Sequence, residues 1–245
     1  MEVLIRRNPE AVADEAFKLV AAERKRKPGL LLGLATGKSP LALYAKLRKL
    51  DWSKAAVFDL DEYVGLGPRH RKSFHNYLHK HFLGRVKVGQ VWLFRGDAPD
   101  LEAECASIEA ALRSLGGMDV QILGIGRDGH IGYNEPTSSF GSRTRIKTLS
   151  KETLADAGDV PFHVITMGIG TILEAKRIVM LATGESKADA VRAAVEGPVT
   201  SMCPASALQL HPNAVVIADE AAAGKLANAK YYRFVDQNKW KVARR

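Results

Sequence analysis

Leu30-Leu31-Leu32-Gly33-Leu34-Ala35-Thr36-Gly37-Lys38-Ser39-Pro40 is the stretch on which the fold turns. Its first half is a short apolar run bounded by Pro28-Gly29 and Thr36-Gly37, the pattern of a strand buried on both faces. Its second half is a turn, and Ser39 to Leu50 then reads as a helix. Outward from this unit the alternation repeats. Upstream, Asn8-Pro9-Glu10 supplies an N-cap, a proline at the first helical position and an acid in the first turn. Val12, Ala16, Leu19 and Val20 follow at helical spacing. Downstream, Ala55–Leu60, Val120–Gly124, His163–Met167, Ile178–Ala182 and Ala214–Ala218 read as strands. Leu101–Leu115, Ser186–Glu196 and Glu220–Ala229 read as helices between them. Apolar strands separated by helices predict an α/β fold: an open, mostly parallel sheet with helices on both faces, a Rossmann-like three-layer arrangement. Right-handed crossovers then gather the loops that follow the strands along one edge, where ligands bind. No linker or repeat divides the chain, so a single domain over 1–245 is expected.

The composition narrows the classes. The chain has 245 residues, 46% hydrophobic, with a formal net charge of +9. Its two cysteines, Cys105 and Cys203, lie far apart and without metal-ligand spacing, which predicts buried thiols in a reducing compartment. The apolar Met1–Ile5 ends at Arg6-Arg7, too soon for a signal core, and no run approaches a membrane span. A cytoplasmic protein without membrane association is expected. The densest basic run, Arg24-Lys25-Arg26-Lys27 before Pro28-Gly29, suits the last turn of a helix. No zinc finger or helix-turn-helix accompanies it, so no nucleic-acid partner is expected.

Four loops after strands carry residues with chemical potential. Thr36-Gly37-Lys38-Ser39 offers hydroxyls, a charge and the free N–H groups of a helix start to an anion. The same residues also make an ordinary strand-to-helix turn. Asp59-Leu60-Asp61-Glu62-Tyr63 crowds three carboxylates at the end of a buried strand, where desolvation and mutual repulsion raise proton affinity. Strand alternation puts Asp59 and Asp61 on one side and Leu60 on the other. Capping or ion-paired acids would read the same way. Gly124-Ile125-Gly126-Arg127-Asp128-Gly129-His130-Ile131-Gly132-Tyr133-Asn134-Glu135-Pro136 threads four glycines around Asp128, His130 and Glu135. A histidine between two carboxylates suits a proton shuttle. Metal-ligand spacing is lacking, and no metal is expected. Gly184-Glu185-Ser186-Lys187 offers a second cation for an anionic ligand.

These residues carry a resemblance. Phe58-Asp59-Leu60-Asp61-Glu62-Tyr63-Val64-Gly65-Leu66 resembles the Asp-Glu-Tyr-Val-Gly-Leu motif of the glucosamine-6-phosphate deaminase/isomerase family. Gly126 to Pro136 resembles its Asp-Gly-His-Ile…Asn-Glu-Pro signature. Arg143 to Leu149 and Leu208-Gln209-Leu210-His211-Pro212 match as well. The related 6-phosphogluconolactonases share the Asp-Gly-His element without Asn134-Glu135-Pro136 or Asp61-Glu62-Tyr63. The resemblance runs in order from about Leu30 to Asp219. It implies conversion of glucosamine 6-phosphate and water to fructose 6-phosphate and ammonium, without a cofactor. It makes Asp61 the base that moves a proton between C2 and C1, and His130, oriented by Asp128 and Glu135, the group that opens the sugar ring. It puts the substrate phosphate on Thr36, Gly37, Lys38, Ser39 and Lys187. Ser139, Arg145 and Lys147 match positions of an allosteric site found in hexameric members, which makes a homo-oligomer an expectation.

The chain departs from the family between Thr148 and His163. Members generally carry a longer lid there, with an arginine for the phosphate. Here Lys151–Pro161 reads Lys-Glu-Thr-Leu-Ala-Asp-Ala-Gly-Asp-Val-Pro, with no arginine. The expectation is that Lys38 takes over that contact. Two enzymatic alternatives stand beside the deaminase: a deaminase of another amino-sugar phosphate, such as galactosamine 6-phosphate, and a lactonase. A non-catalytic sugar-phosphate sensor, which would lack the catalytic acids, is the third.

Overall fold

The computed structural model describes residues 1–239. In chain order the elements are β1 (Glu2–Arg6), α1 (Pro9–Arg26), β2 (Leu31–Leu34), α2 (Leu41–Leu47), β3 (Trp52–Asp59), β4 (Asp61–Tyr63), α3 (Phe74–His81), β5 (Val88–Trp92) and α4 (Leu101–Ser114). They continue with β6 (Val120–Leu123), β7 (Arg145–Thr148), α5 (Lys151–Ala157), β8 (His163–Thr166), α6 (Ile169–Leu173), β9 (Arg177–Ala182), α7 (Ala188–Glu196), β10 (Ala214–Asp219) and α8 (Ala229–Asn238).

Seven strands form one parallel sheet in the order β1-β10-β9-β6-β2-β3-β5. Every residue of β2, β6 and β10 is buried, as their mostly apolar runs require. Gly33 sits in the middle of β2, opposite Gln121 of β6. A Cβ at Gly33 would lie 2.1 Å from Gln121 Oε1, so the glycine makes room for that buried amide, which donates to the Ile122 carbonyl at 2.9 Å. The strand order explains where a ligand fits. From β2 the chain builds outward through β3 and β5, whereas β6, β9, β10 and β1 extend the other way. The loops after β2 and β6 therefore part at the carboxyl ends of two neighbouring strands, which is a topological switch point.

The expected helix start at Asn8 is present: its side chain accepts from Ala11 N at 2.9 Å. The basic run at the end of α1 is absorbed by acids. Arg26 reaches Glu23 at 2.6 Å, Lys27 reaches Asp119 at 2.6 Å, and Arg24 lies 3.8 Å from Asp51. Strands β1, β4, β5 and β7 and helices α3, α5, α6 and α8 are not expected from the sequence, and the expected helix Glu220–Ala229 is a run of turns, with α8 starting only at Ala229. β5 is mostly exposed and edges the sheet, so it lacks the apolar run that marks the central strands.

One strand is in a different sheet from the one expected. His163–Thr166 pairs antiparallel with both β4 and β7, forming a three-stranded sheet apart from the main one. A short strand with an apolar centre looks alike in either setting, because its partners are set by distant pairing. The chain leaves the main sheet at Asp59 and enters the second at Asp61. Between the second sheet and α5 lies a small apolar cluster of Tyr63, Leu149 and Val164, with Phe74, Tyr133 and Leu154 packed on it.

A buried carboxylate ties α4 to the segment that enters β7 and to α6. Glu109 of α4 accepts from Thr144 N at 3.0 Å, Thr144 Oγ1 at 2.6 Å, Thr171 Oγ1 at 2.5 Å and Arg143 Nη2 at 2.5 Å. Burial pushes its pKa up, but these donors outweigh burial and bring it from an ordinary 4.5 to about 2. A depressed carboxylate stabilises the fold above its unfolded pKa, and that stability is lost as pH falls from about 4.5 towards 2. Glu109→Gln is expected to lower unfolding free energy at pH 7 by about 2 kcal/mol. In urea titrations the gap to the native protein should narrow at pH 3; a gap of equal size at both values would refute the ionic network.

Candidate active site

The cavity at the switch point has a volume of about 290 Å³. It is lined by the turn after β2, by Leu60 and Asp61, by the glycine-rich loop after β6, by Lys187, and by one side of α5.

The three crowded carboxylates separate into two with partners and one without. Asp59 is fully buried, and both its oxygens accept from Phe94 N at 3.1 Å. Glu62 accepts from Tyr63 N, Phe74 N and His75 N at 2.7 to 3.0 Å, holding the first turn of α3. Asp61 is 5% exposed, lines the cavity, and its Oδ1 has no hydrogen-bond partner among the described residues. Burial, reinforced by the neighbouring Glu62 charge, lifts its pKa from 3.8 to about 8. Asp59 and Asp61 therefore do not act together as alternation suggests, because the chain changes sheets between them.

The glycine-rich loop folds Asp128 back onto His130. Oδ1 of Asp128 lies 2.7 Å from His130 Nδ1, off the line of a straight hydrogen bond, and accepts from His130 N at 3.2 Å. A Cβ at Gly126 would stand 2.2 Å from His130 Nδ1 and 2.6 Å from Asp128 Oδ1, so only glycine permits this approach. Burial raises the Asp128 pKa, and the His130 contacts more than reverse it. His130 stacks on Tyr133, 6.1 Å between centroids and 20° between planes, and the Tyr133 hydroxyl meets that of Tyr63 at 2.7 Å.

Glu135 is placed otherwise than expected. It does not touch His130. It accepts from Ser150 N at 3.0 and 3.1 Å and from Ser150 Oγ at 2.8 Å, and Ser150 is the N-cap of α5. The acid five residues beyond His130 thus anchors the helix over the cavity instead of orienting the ring. Neighbouring Asn134 is fully buried, donates to Ile131 O and Met167 O, and accepts from Arg145 Nη1 at 2.9 Å. Arg145 is thereby tied to the same platform; Lys147 lies two residues along β7, and Ser139 is exposed. The Leu208–Pro212 segment serves packing: Gln209 donates to Ala194 O and Gly197 O, and His211 Nε2 meets Ala175 O at 2.7 Å.

The expected anion residues are divided. Thr36, Gly37 and Lys187 line the cavity, and the Tyr77 hydroxyl holds the turn by donating to Gly37 O at 2.5 Å. Ser39 lies outside it, 3.1 Å from Thr183 Oγ1, and Lys38 is exposed and does not line it. Lys38 follows the positive-φ Gly37, is exposed and stands outside the lining, so no cavity contact supports it as the stand-in for a lid arginine. The short segment after Leu149 still forms a helix, and Thr153 and Asp156 of α5 reach the cavity. Desolvation, with help from neighbouring Arg127, depresses the Lys187 pKa.

The sequence model described as glucosamine-6-phosphate isomerases/6-phosphogluconolactonase matches residues 7–217. This chain belongs to that family. It is 50% identical over 249 residues to the glucosamine-6-phosphate deaminase of Streptomyces coelicolor, covering 95% of each chain. To the protein of that name from Pseudarthrobacter chlorophenolicus it is 46% identical, covering 98% of each. A solved structure described as a monomeric glucosamine-6-phosphate deaminase superposes with a TM-score of 0.88 at 39% identity, covering 92% of this chain and 100% of that one. The 6-phosphogluconolactonase of Trypanosoma brucei, at 20% identity and a TM-score of 0.76, shares the fold, covering 92% of this chain and 98% of that one. Within this family member, Arg127, Tyr133 and Asp156 are cavity residues that sequence reasoning passed over. Arg127 and Tyr133 stood in the quoted glycine-rich stretch, where an arginine between glycines was a visible signal. Nothing local marked Asp156.

Proposed function

We propose that this chain deaminates and isomerises glucosamine 6-phosphate, taking up water and releasing fructose 6-phosphate and ammonium. The observation that carries the reading is the unpartnered, proton-hungry carboxylate of Asp61 sharing one cavity with the Asp128–His130 pair and Lys187. The sugar must first open, and His130, steadied by Asp128, moves the proton between the ring oxygen and the C1 hydroxyl that this requires. Asp61 as carboxylate then takes the C2 proton, giving an enolamine, and returns it to C1. The resulting imine at C2 adds water and loses ammonia as the ketose forms. Every step is acid–base chemistry within reach of protein side chains and calls for no cofactor. The 6-phosphate meets Lys187 and the Thr36–Gly37 turn, the cationic and N–H-bearing parts of the cavity.

Cys105 and Cys203 are buried, unpaired thiols, in keeping with a reducing compartment such as the cytoplasm. Among the described residues no helix is long and apolar enough to cross a membrane.

Incubation with glucosamine 6-phosphate should yield equal amounts of ammonium and fructose 6-phosphate, with galactosamine 6-phosphate and the 6-phosphogluconolactone as controls. No ammonium from the first substrate would end the reading. Glu135 gives a second check. As the anchor of α5 it should act on binding: Glu135→Ala is expected to raise KM roughly tenfold with a smaller change in kcat. A large fall in kcat at unchanged KM would return Glu135 to an orienting role beside His130.

A further inference from the structure

Besides Lys187, two charged residues line the cavity without a part in the proton transfers. Arg127 rides on the glycine-rich loop and Asp156 on the last turn of α5. Their Nη1 and Oδ1 atoms are 3.5 Å apart, the outer limit of a hydrogen bond, with 63% and 59% of the side chains exposed. A long, solvent-screened pair of this kind holds little free energy. Lys187 faces the same space, so two cations converge there, and the charge of Arg127 disfavours that of Lys187 after burial has already done so. The Thr36–Gly37 turn completes the lining. Of the acids that act on Lys187, Asp128 is held against His130, and Asp156 is held only loosely, by Arg127.

We propose that Arg127 binds the substrate phosphate together with Lys187, and that Asp156 is an internal anion the phosphate displaces from Arg127. This rests on the sugar-phosphate reading above. A guanidinium presents a fork of donors that matches phosphate oxygens bidentately, and a phosphate carries up to twice the charge of the carboxylate it replaces. The exchange therefore favours phosphate. It also explains how the chain manages without an arginine in its short lid: the arginine comes from the loop beneath, and the lid helix carries the acid. Once phosphate is bound, α5 loses its link to Arg127 while its start stays anchored by Glu135 on Ser150.

Isothermal titration with inorganic phosphate, beside steady-state kinetics with glucosamine 6-phosphate, tests the exchange. Arg127→Ala should weaken phosphate binding and raise KM about tenfold, with kcat changed far less, and Arg127→Lys should recover part of the loss. Asp156→Asn should tighten phosphate binding two- to threefold, by removing the competitor. In the Arg127→Ala background that gain should vanish. Three results would overturn the proposal: unchanged phosphate affinity in Arg127→Ala, weaker binding in Asp156→Asn, or an equal gain from Asp156→Asn in both backgrounds. A native chain that binds no phosphate at millimolar concentration would overturn it too. Failure to release ammonium from glucosamine 6-phosphate would remove only the proposed reaction, since the phosphate affinities stand apart from turnover.

Discussion

Replacing Asp61 by asparagine is expected to lower kcat by roughly a thousandfold or more while making the protein more stable. Both effects follow from one feature, a 5% exposed carboxylate with an oxygen that no described residue satisfies. Without a base, the C2 proton has no acceptor in the cavity. The stability effect has a definite sign. The folded state raises the Asp61 pKa from 3.8 to about 8, so it prefers the neutral acid. A group with a raised folded pKa favours folding below its unfolded value and loses that contribution as pH climbs through the folded one. At pH 7 the native chain has lost most of it. Asparagine is uncharged at every pH and of similar shape. After allowing for its own unsatisfied amide, the gain is about 2 kcal/mol, or a rise in Tm of roughly 5 °C. Thermal melts at pH 5 and pH 8 check this, with the larger gain expected at pH 8. In the native enzyme kcat/KM should rise with pH through about 8, as Asp61 gives up its proton. A variant that keeps turnover would show that Asp61 is not the base; one that melts lower at pH 8 would show that its carboxylate is not under strain.

The second large effect is at His130. His130→Gln keeps polar character but cannot shuttle a proton, and kcat is expected to fall by roughly a hundred- to a thousandfold. A kinetic isotope effect separates its role from that of Asp61. With deuterium at C2, the native enzyme should show a primary effect wherever proton abstraction limits the rate. If His130 opens the ring, its loss makes opening slow, and the isotope effect in His130→Gln should shrink towards unity. An isotope effect as large as the native one would move His130 to the enolisation step. Asp128→Asn should cost less than His130→Gln, because it removes the group that holds the ring and leaves the ring itself.

Which of the crowded carboxylates would stay unpartnered was not legible locally. Asp59, Asp61 and Glu62 read as equivalent acids along the chain, and the deciding partners come from elsewhere. Phe94 N, 35 residues away, satisfies Asp59, and His75 N, 13 residues away, satisfies Glu62. The tie of Glu135 to the start of α5 was not legible, since its partner Ser150 lies 15 residues on. The Asp128–His130 pairing was readable, because both residues and the glycine that admits them fall within five positions.

By itself the sequence determined the alternation of strands and helices and the glycine-framed loops between them. Those depend on periodicity, capping and φ, which act over a few residues. Motif order along the chain sufficed for the family. Only the tertiary structure decided that β2 and β6 are neighbours and so open a cavity, that His163–Thr166 joins a second sheet, and that Arg127 rather than Lys38 lines the cavity. Those outcomes rest on hydrogen bonds and burial between segments far apart in sequence. Desolvation, which sets Asp61 apart from its neighbours, exists only once the chain has closed around it.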